Sequence, residues 1–317
     1  MAVYTKINTK EIKYIEKNYN IGKIIDFTGI KKGIENTNYL IKTKNKKFIL
    51  TIFERRVQKK DLPVFMILMF GLSKLKIKCP EPIKNIKNKH LFKIKNKSAC
   101  LVSFLKGKDK KQLNYKDCFI VGKNIAKLHL ASKKLKLFRK NSLSVDSWSP
   151  LFKKINKDYK SSKKLMKSEL KYIKKNWPKN LPSGIIHADI FVDNIFFYKK
   201  KFYGFIDFYF SANDYLAYEL AICINALCFN KKNKIYKLDK KRSSKLIKGY
   251  QSIKKLTKYE KQNLNILCRG SALRYLLTRS YDYINTPKNA LIKIKDPKEY
   301  IQKLNYHKNL NSFKDYC

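Results

Sequence analysis

Hydrophobic and polar positions change their rhythm near Gly107. Before it, apolar residues fall in short runs rich in β-branched and aromatic side chains. NYLIKT and KFILTIF flank the turn KNK within residues 24–53, which predicts a β-hairpin, preceded by the loop TGIKKGIENT. LPVFMILMFGL at 62–72 follows Asp61, a good N-cap residue, and reads as a buried helix too short to cross a bilayer. HLFKIK and SACLVSFL then complete a small antiparallel sheet with one helix. After Gly107 the period lengthens. Val121, Ile125 and Leu128 fall at i, i+4 and i+7, and similar faces recur in 212–229 and 262–284, so a mostly helical region is expected. The division predicted is residues 1–105 and 106–317. The helical pattern is interrupted once, by HADIFVDNIFF at 187–197 and GFIDFYF at 204–210. There IFFY and FYGFID flank a lysine turn and predict a second hairpin, whose simplest register sets Asn194 opposite Asp207.

A chain of 317 residues, 44% hydrophobic and 13% aromatic, has the means to bury a core, which excludes a disordered polymer. Its 73 Lys+Arg against 23 Asp+Glu give a formal net charge of +50, a balance that ordinarily points to nucleic acid or an anionic membrane. The cations argue otherwise. Only seven are arginine, the preferred fork for phosphate and guanine. The lysines are spread along the whole chain among abundant Ile, Asn, Tyr and Phe, the pattern of AT-rich codon bias acting on solvated faces. No specific nucleic acid and no membrane partner are expected, and the chain should act as a monomer or homodimer. The N-terminal residues lack the apolar core of a signal peptide. Seven cysteines (79, 100, 118, 223, 228, 268 and 317) are scattered without CxxC spacing, so neither a disulfide framework nor a zinc site is expected, and the cytoplasm is the natural compartment.

Asp and Asn favour turns through local hydrogen bonds, and turn chemistry alone is one reading of Asp189, Asn194 and Asp207. Their joint placement supports another. An amide and a carboxylate at the open end of a hairpin suit a hard cation such as Mg²⁺, which takes one or two carboxylates together with phosphate oxygens and water. Asp189, five residues before Asn194, lies on the loop that feeds the first strand, where a carboxylate can orient and deprotonate an attacking hydroxyl. These are the parts that phosphoryl transfer needs. Protein kinases carry them as HRDxxxxN and DFG. Here they read His187-Ala-Asp189-Ile-Phe-Val-Asp-Asn194 and Asp207-Phe-Tyr209.

At these residues the chain resembles the aminoglycoside phosphotransferase and choline kinase group, whose loop is HxDxxxxN with a following IDF. More narrowly, it resembles the homoserine kinases of that fold, of the pseudomonad and alphaproteobacterial type. The resemblance runs nearly end to end, through GIENTNYLIKT, FILTIFERRV, LPSGIIHADIFVDNIFF, GFIDFYF, AYELAICINALCF and RGSALRYLLTRSYDY. It implies an α+β, two-lobed protein-kinase-like fold with a small antiparallel-sheet N-lobe and a mainly helical C-lobe. It also implies transfer of the ATP γ-phosphate to the hydroxyl of L-homoserine, giving O-phospho-L-homoserine in threonine biosynthesis, with ATP and Mg²⁺ as cofactors. Carried over by position, Asp189 is the catalytic base, Asn194 and Asp207 are the metal ligands, and His187 supports the loop. Gly33, Glu35 and Asn36 lie over the nucleotide phosphates, and Ser103, Phe104 and Leu105 offer backbone groups to adenine.

Two positions depart from that pattern. Thr51 stands where related kinases place a phosphate-binding Lys, which leaves Lys47, Arg55 and Arg56 as replacement cations. Tyr209 stands where a Gly is expected after Asp-Phe. For the substrate, Arg269, Arg274 and Arg279 share one helical segment, but a five-residue spacing turns neighbours about 140° apart, so they do not all face one pocket. Arg274 is assigned to the substrate carboxylate and Tyr209 to a second substrate contact, with structural ion pairing as the alternative for the arginines. Asp214 is expected to cap the helix that follows it, and Asp193 and Glu219 to support the loop or to bind the amine. Two other functions are open at this point: a kinase for another small hydroxylated amine or sugar, and a basic RNA-binding or scaffold protein with a kinase-like shell.

Overall fold

A computed structural model of the chain describes residues 3–31, 36–54, 57–155, 160–286 and 295–317. Two units divide it: Met1–Gly107 with Tyr203–Tyr209, and Lys108–Phe202 with Phe210–Cys317. The chain thus returns to the first unit for seven residues around Asp207, which a single division at 105/106 does not contain.

In the first unit α1 (Thr9–Asn18) starts at Asn8, whose side chain accepts the Lys10 N–H while Glu11 accepts the Asn8 N–H. Two donors that a helix start leaves orphaned are thereby satisfied. β1 (Ile24–Gly29), β2 (Thr37–Thr43) and β3 (Lys47–Ile52) follow, then α2 (Leu62–Lys74), β4 (Leu91–Ile94) and β5 (Lys97–Ser103). The sheet order is β1-β2-β3-β5-β4, with antiparallel pairing. In β2, Thr37, Tyr39, Ile41 and Thr43 are buried and the residues between them half-buried, the two-residue period of a sheet with one covered face. The β2–β3 register pairs Tyr39 with Leu50 and Ile41 with Phe48, and Ile12 and Ile15 of α1 complete that cluster. Asp61 does hold the N-cap position of α2, but without a side-chain cap bond.

In the second unit α3 (Tyr115–Lys134), α4 (Val145–Lys154) and α5 (Lys160–Asn176) precede β6 (Ser183–Ile186) and β7 (Ile195–Tyr198). β7 forms a two-stranded sheet with β8 (Lys201–Phe205), and β9 (Ala212–Tyr215) pairs with β6. Then come α6 (Leu216–Leu227), β10 (Phe229–Lys232), β11 (Ile235–Leu238), α7 (Lys240–Gln251), α8 (Lys258–Gln262), α9 (Leu264–Asn285) and α10 (Lys298–Lys308). Val121, Ile125 and Leu128 are buried on α3 as their spacing requires. α3 and α7 meet at two glycines. A Cβ at Gly122 would lie 2.0 Å from the Leu246 carbonyl oxygen, and one at Gly249 1.9 Å from that of Phe119, so neither position has room for a side chain.

Several details differ from the sequence reading. α6 and α9 are buried almost all round instead of along one face, because both lie inside the unit. Residues 212–215, read as helix, are β9. Asp214 therefore does not cap α6: Tyr215 takes the N-cap position, while Asp214 Oδ1 accepts the Tyr215 N–H and Oδ2 accepts Asn141 Nδ2 at 2.6 Å. Asn194 closes a single 3-10 turn, Val192–Asn194, and Asp207 lies past the end of β8. Neither occupies the strand position that the simplest hairpin register gave it. All seven cysteines are free, and among the described residues no helix is long and apolar enough to cross a membrane.

Candidate active site

The loop between β6 and β7 is built around an unusual backbone. Ala188 has φ +64°, in the left-handed region that a residue with a Cβ seldom adopts. Three buried side chains hold it there. The Glu219 carboxylate, on α6, accepts the N–H groups of His187 and Ala188, the latter at 3.1 Å. On the other side of the residue, Arg274 Nη1 and the Tyr275 hydroxyl, both on α9, donate to the Ala188 carbonyl at 3.1 and 3.2 Å. His187 is fully buried, and its Nδ1 accepts the Asp189 N–H at 3.3 Å. That contact puts the ring proton on Nε2 and gives His187 the task of shaping the loop.

Asp189 itself is half-buried and held at both carboxylate oxygens. Asn194 Nδ2 donates to its main-chain oxygen at 2.8 Å and to Oδ2 at 3.2 Å, and the Tyr275 hydroxyl lies 3.4 Å from Oδ1. The carboxylate is therefore oriented by these contacts. The Asn194 amide nitrogen is committed to the loop, which leaves Oδ1, a hard oxygen of the kind Mg²⁺ takes, for a ligand. Burial pulls on the Arg274 guanidinium, but Tyr275, Tyr218 and Asp189 around it keep it protonated above its ordinary range. Burial likewise pushes the Tyr275 phenol well above its usual value, so it serves as a neutral donor.

Asp207 belongs to the first unit and is held by other means. Upstream, the Phe205 N–H donates to the Lys78 carbonyl at 3.1 Å, and Gly204 lies so close to it that a Cβ would come within 2.3 Å of that oxygen. Asp207 is exposed with φ +65°, a conformation Asp tolerates better than most residues. Downstream, Phe208 is fully buried. No group of three or more His, Cys, Asp or Glu is gathered into a metal cage among the described residues.

Of the residues expected near the nucleotide, Gly33 and Glu35 lie outside the described residues, as do Arg55 and Arg56. Asn36 is buried, and its Oδ1 accepts the Glu54 N–H at 3.4 Å. The Ser103 N–H donates to the Glu81 carbonyl and the Phe104 N–H to that of Lys47, so neither donor is open to a ligand. Among the described residues Leu105 is the one of the three whose N–H has no acceptor. Lys47 Nζ sits 5.9 Å from the centre of the Phe104 ring, four residues up the strand from Thr51, about 13 Å away along β3.

A family model described as phosphotransferase enzyme family matches residues 26–250. A homoserine kinase of Agrobacterium fabrum is 41% identical over 320 residues, covering 100% of this chain and 98% of its own. One of Rhizobium etli is 40% identical, covering 100% and 99%. The chain belongs to the homoserine kinase branch of the phosphotransferase enzyme family. A solved structure of an amicoumacin kinase in complex with AMP-PNP and Ca²⁺ matches with a TM-score of 0.69 at 14% identity, covering 98% of this chain and 94% of that one. At that identity it bears on the fold, which is protein-kinase-like, with an antiparallel-sheet N-lobe and a helical C-lobe.

Within this phosphotransferase, the two expected substrate contacts, Arg274 and Tyr209, both meet other groups of the chain. Arg274 is 4% exposed and supports the Ala188 carbonyl, with its guanidinium 4.2 Å from the Tyr275 ring centre. The Tyr209 hydroxyl lies 3.7 Å from Cys100 Sγ, turned into the first unit. Its two fellow arginines are structural: Arg269 pairs with Glu169 through two nitrogens, and Arg279 with Glu299 at 2.7 Å. Of the two acidic side chains left between loop support and amine binding, Glu219 supports the loop, and Asp193 is half-buried in the 3-10 turn. Tyr275 was not singled out by sequence reasoning, and its only signal was its place beside Arg274.

Proposed function

We infer that the chain is a homoserine kinase, which transfers the γ-phosphate of ATP to the side-chain hydroxyl of L-homoserine and forms O-phospho-L-homoserine for threonine synthesis. One observation carries the reading: about 40% identity to homoserine kinases over the full length of both chains. The geometry of the Asp189 loop supports the chemistry. The substrate hydroxyl donates to the Asp189 carboxylate, which Asn194 and Tyr275 keep aligned, and Asp189 takes the proton as the oxygen attacks phosphorus. Such assistance is worth about 10²–10⁴ in rate. Asn194 Oδ1 and the Asp207 carboxylate are assigned to Mg²⁺, which neutralises charge on the phosphate oxygens when bound. Leu105 offers its N–H to the adenine ring, and Asn36 anchors the end of the loop assigned to the phosphates. His187, Glu219 and Arg274 act on the loop backbone. The cytoplasm, where both ATP and free thiols persist, is the compartment that suits this activity.

The test is ADP release from ATP and Mg²⁺ with and without L-homoserine, with the product examined by phosphorus NMR. The expected result is homoserine-dependent ADP release, abolished by chelating the metal, with one new phosphomonoester on the side-chain oxygen. Absence of homoserine-dependent release overturns the reading.

A further inference from the structure

The two positions at which the sequence departs from the wider kinase pattern, Thr51 and Tyr209, meet in the first unit. Thr51 pairs with Asn38 of β2 and with Cys100 of β5, and its Oγ1 donates to Asn38 Oδ1 at 2.8 Å. The Tyr209 hydroxyl docks on this polar line across the sheet, 3.7 Å from Cys100 Sγ, the cross-strand partner of Thr51. Phe53 and Phe65 meet its ring edge-on, at 5.0 Å and 89° and at 5.9 Å and 81°. Thr51 and Cys100 are themselves buried. A longer side chain at position 51 would run into the phenol.

The effect of this docking reaches two residues upstream. Asp207 sits on a left-handed turn whose N-terminal side is seated on Lys78 through Gly204 and Phe205. Its C-terminal side is seated through buried Phe208 and docked Tyr209. The turn is thus fixed at both ends while its carboxylate stays exposed.

We propose that Tyr209 is the positioning residue of the Asp207 carboxylate, and that Thr51 and Tyr209 form one paired exchange, in which the phenol fills the space before position 51 and holds the metal-binding turn by packing. The proposal rests on the assignment of Asp207 to Mg²⁺ made above. Calorimetric titration of ADP with and without Mg²⁺, together with thermal midpoints of the ligand-free protein, tests it on the wild type, Tyr209→Phe, Tyr209→Gly, Thr51→Lys and the Thr51→Lys/Tyr209→Gly double variant. Tyr209→Gly is expected to raise the Kd for ADP about 10- to 100-fold in Mg²⁺ and to leave the metal-free Kd unchanged. Tyr209→Phe keeps the ring and loses the hydroxyl, and a rise of about 2- to 10-fold is expected. Thr51→Lys should lower the midpoint of the wild type markedly and that of Tyr209→Gly much less, a non-additive cycle. Thr51→Val, which removes only the hydroxyl, gives the same cycle if Thr51→Lys does not fold. Equal loss of ADP affinity with and without Mg²⁺ reduces Tyr209 to a structural residue, and an additive cycle makes the two positions independent; either result overturns the proposal. Wild-type turnover of L-homoserine, measured alongside, separates the two readings. A chain that ignores homoserine yet shows the Mg²⁺-specific loss keeps the Tyr209 assignment and loses only the substrate.

Discussion

The Asp189 loop and the Asp207 turn solve the same problem with opposite chemistry. Each has a non-glycine residue in the left-handed region, Ala188 in the one and Asp207 in the other, at a local cost of order 1–3 kcal/mol. The Asp189 loop is held by buried polar groups, with Glu219 on two N–H groups and Arg274 and Tyr275 on one carbonyl. The Asp207 turn is held on one side by the Lys78 backbone, which Gly204 packs against and whose carbonyl accepts the Phe205 N–H, and on the other by Tyr209 against Phe53 and Phe65. The difference follows from the tasks proposed for the two carboxylates. A proton acceptor must be aimed within a fraction of an ångström, and directional bonds aim better than packing. A metal ligand must present its carboxylate to the cation, and the Asp207 backbone is fixed through its neighbours in sequence.

Substituting the two carboxylates separates those tasks most sharply. Asp189→Asn should leave the thermal midpoint and Mg²⁺·ATP binding intact and lower kcat about 10²- to 10⁴-fold. Asp207→Ala should instead remove the Mg²⁺ dependence of nucleotide binding, read by calorimetry. A kcat for Asp189→Asn near that of the wild type would remove the distinction. Glu219→Ala attacks the polar clamp from behind. It leaves two buried N–H groups without an acceptor, so chemical denaturation should show a loss of about 2–5 kcal/mol, with Glu219→Gln losing less. If Glu219→Ala were as stable as the wild type, charge would not be what holds the Ala188 backbone. Tyr275→Phe removes the hydroxyl proton that the Ala188 carbonyl and Asp189 Oδ1 share, and leaves the ring. A two- to tenfold drop in kcat is expected, with the KM for ATP unchanged.

Acidity gives the smallest effect. On the packed side burial pushes the Cys100 thiol up to about 12 and the Tyr209 phenol well above its usual value. The polar side includes Asp214, whose carboxyl burial raises above its ordinary 3.8, against Asn141, the Tyr215 N–H and Arg274, and with Glu219 adding to the rise. The folded state then binds this proton more tightly than the unfolded one. The contribution to stability is complete below pH 3.8 and fades as pH rises through the raised value. Thermal midpoints measured against pH should show that decline in the wild type and lack it in Asp214→Asn. Parallel curves for the two proteins would take Asp214 out of the pH response.

How much of this was written in the sequence depends on the distance over which each feature is made. Hairpins and amphipathic helices announce themselves within ten residues, and the β2–β3 pairing and the buried face of α3 follow the periods read from the chain. Asp189 and Asn194 were legible because their five-residue spacing is itself the structure: the Asn194 amide closes the loop on the Asp189 carbonyl. The clamps were not. Glu219 and Tyr275 lie 31 and 87 residues from Ala188, inside helices that are buried all round and offer no polar face to single them out. Arg274 looked like an open fork because burial has no local signature. Ala188 hid its backbone, since alanine gives no sign of a left-handed φ where glycine would. Tyr209 read as a neighbour of the metal loop, but its hydroxyl is used 109 residues away on Cys100.

The measurement that bears most directly on the central claim is the ratio of kcat/KM values for L-homoserine, L-serine and choline with ATP and Mg²⁺. L-Serine differs from homoserine by one methylene, a change that a pocket commonly discriminates about 10- to 200-fold. The account predicts that homoserine leads both competitors, by at least that margin over L-serine. Faster turnover of choline or L-serine would keep the Asp189 chemistry and contradict the substrate.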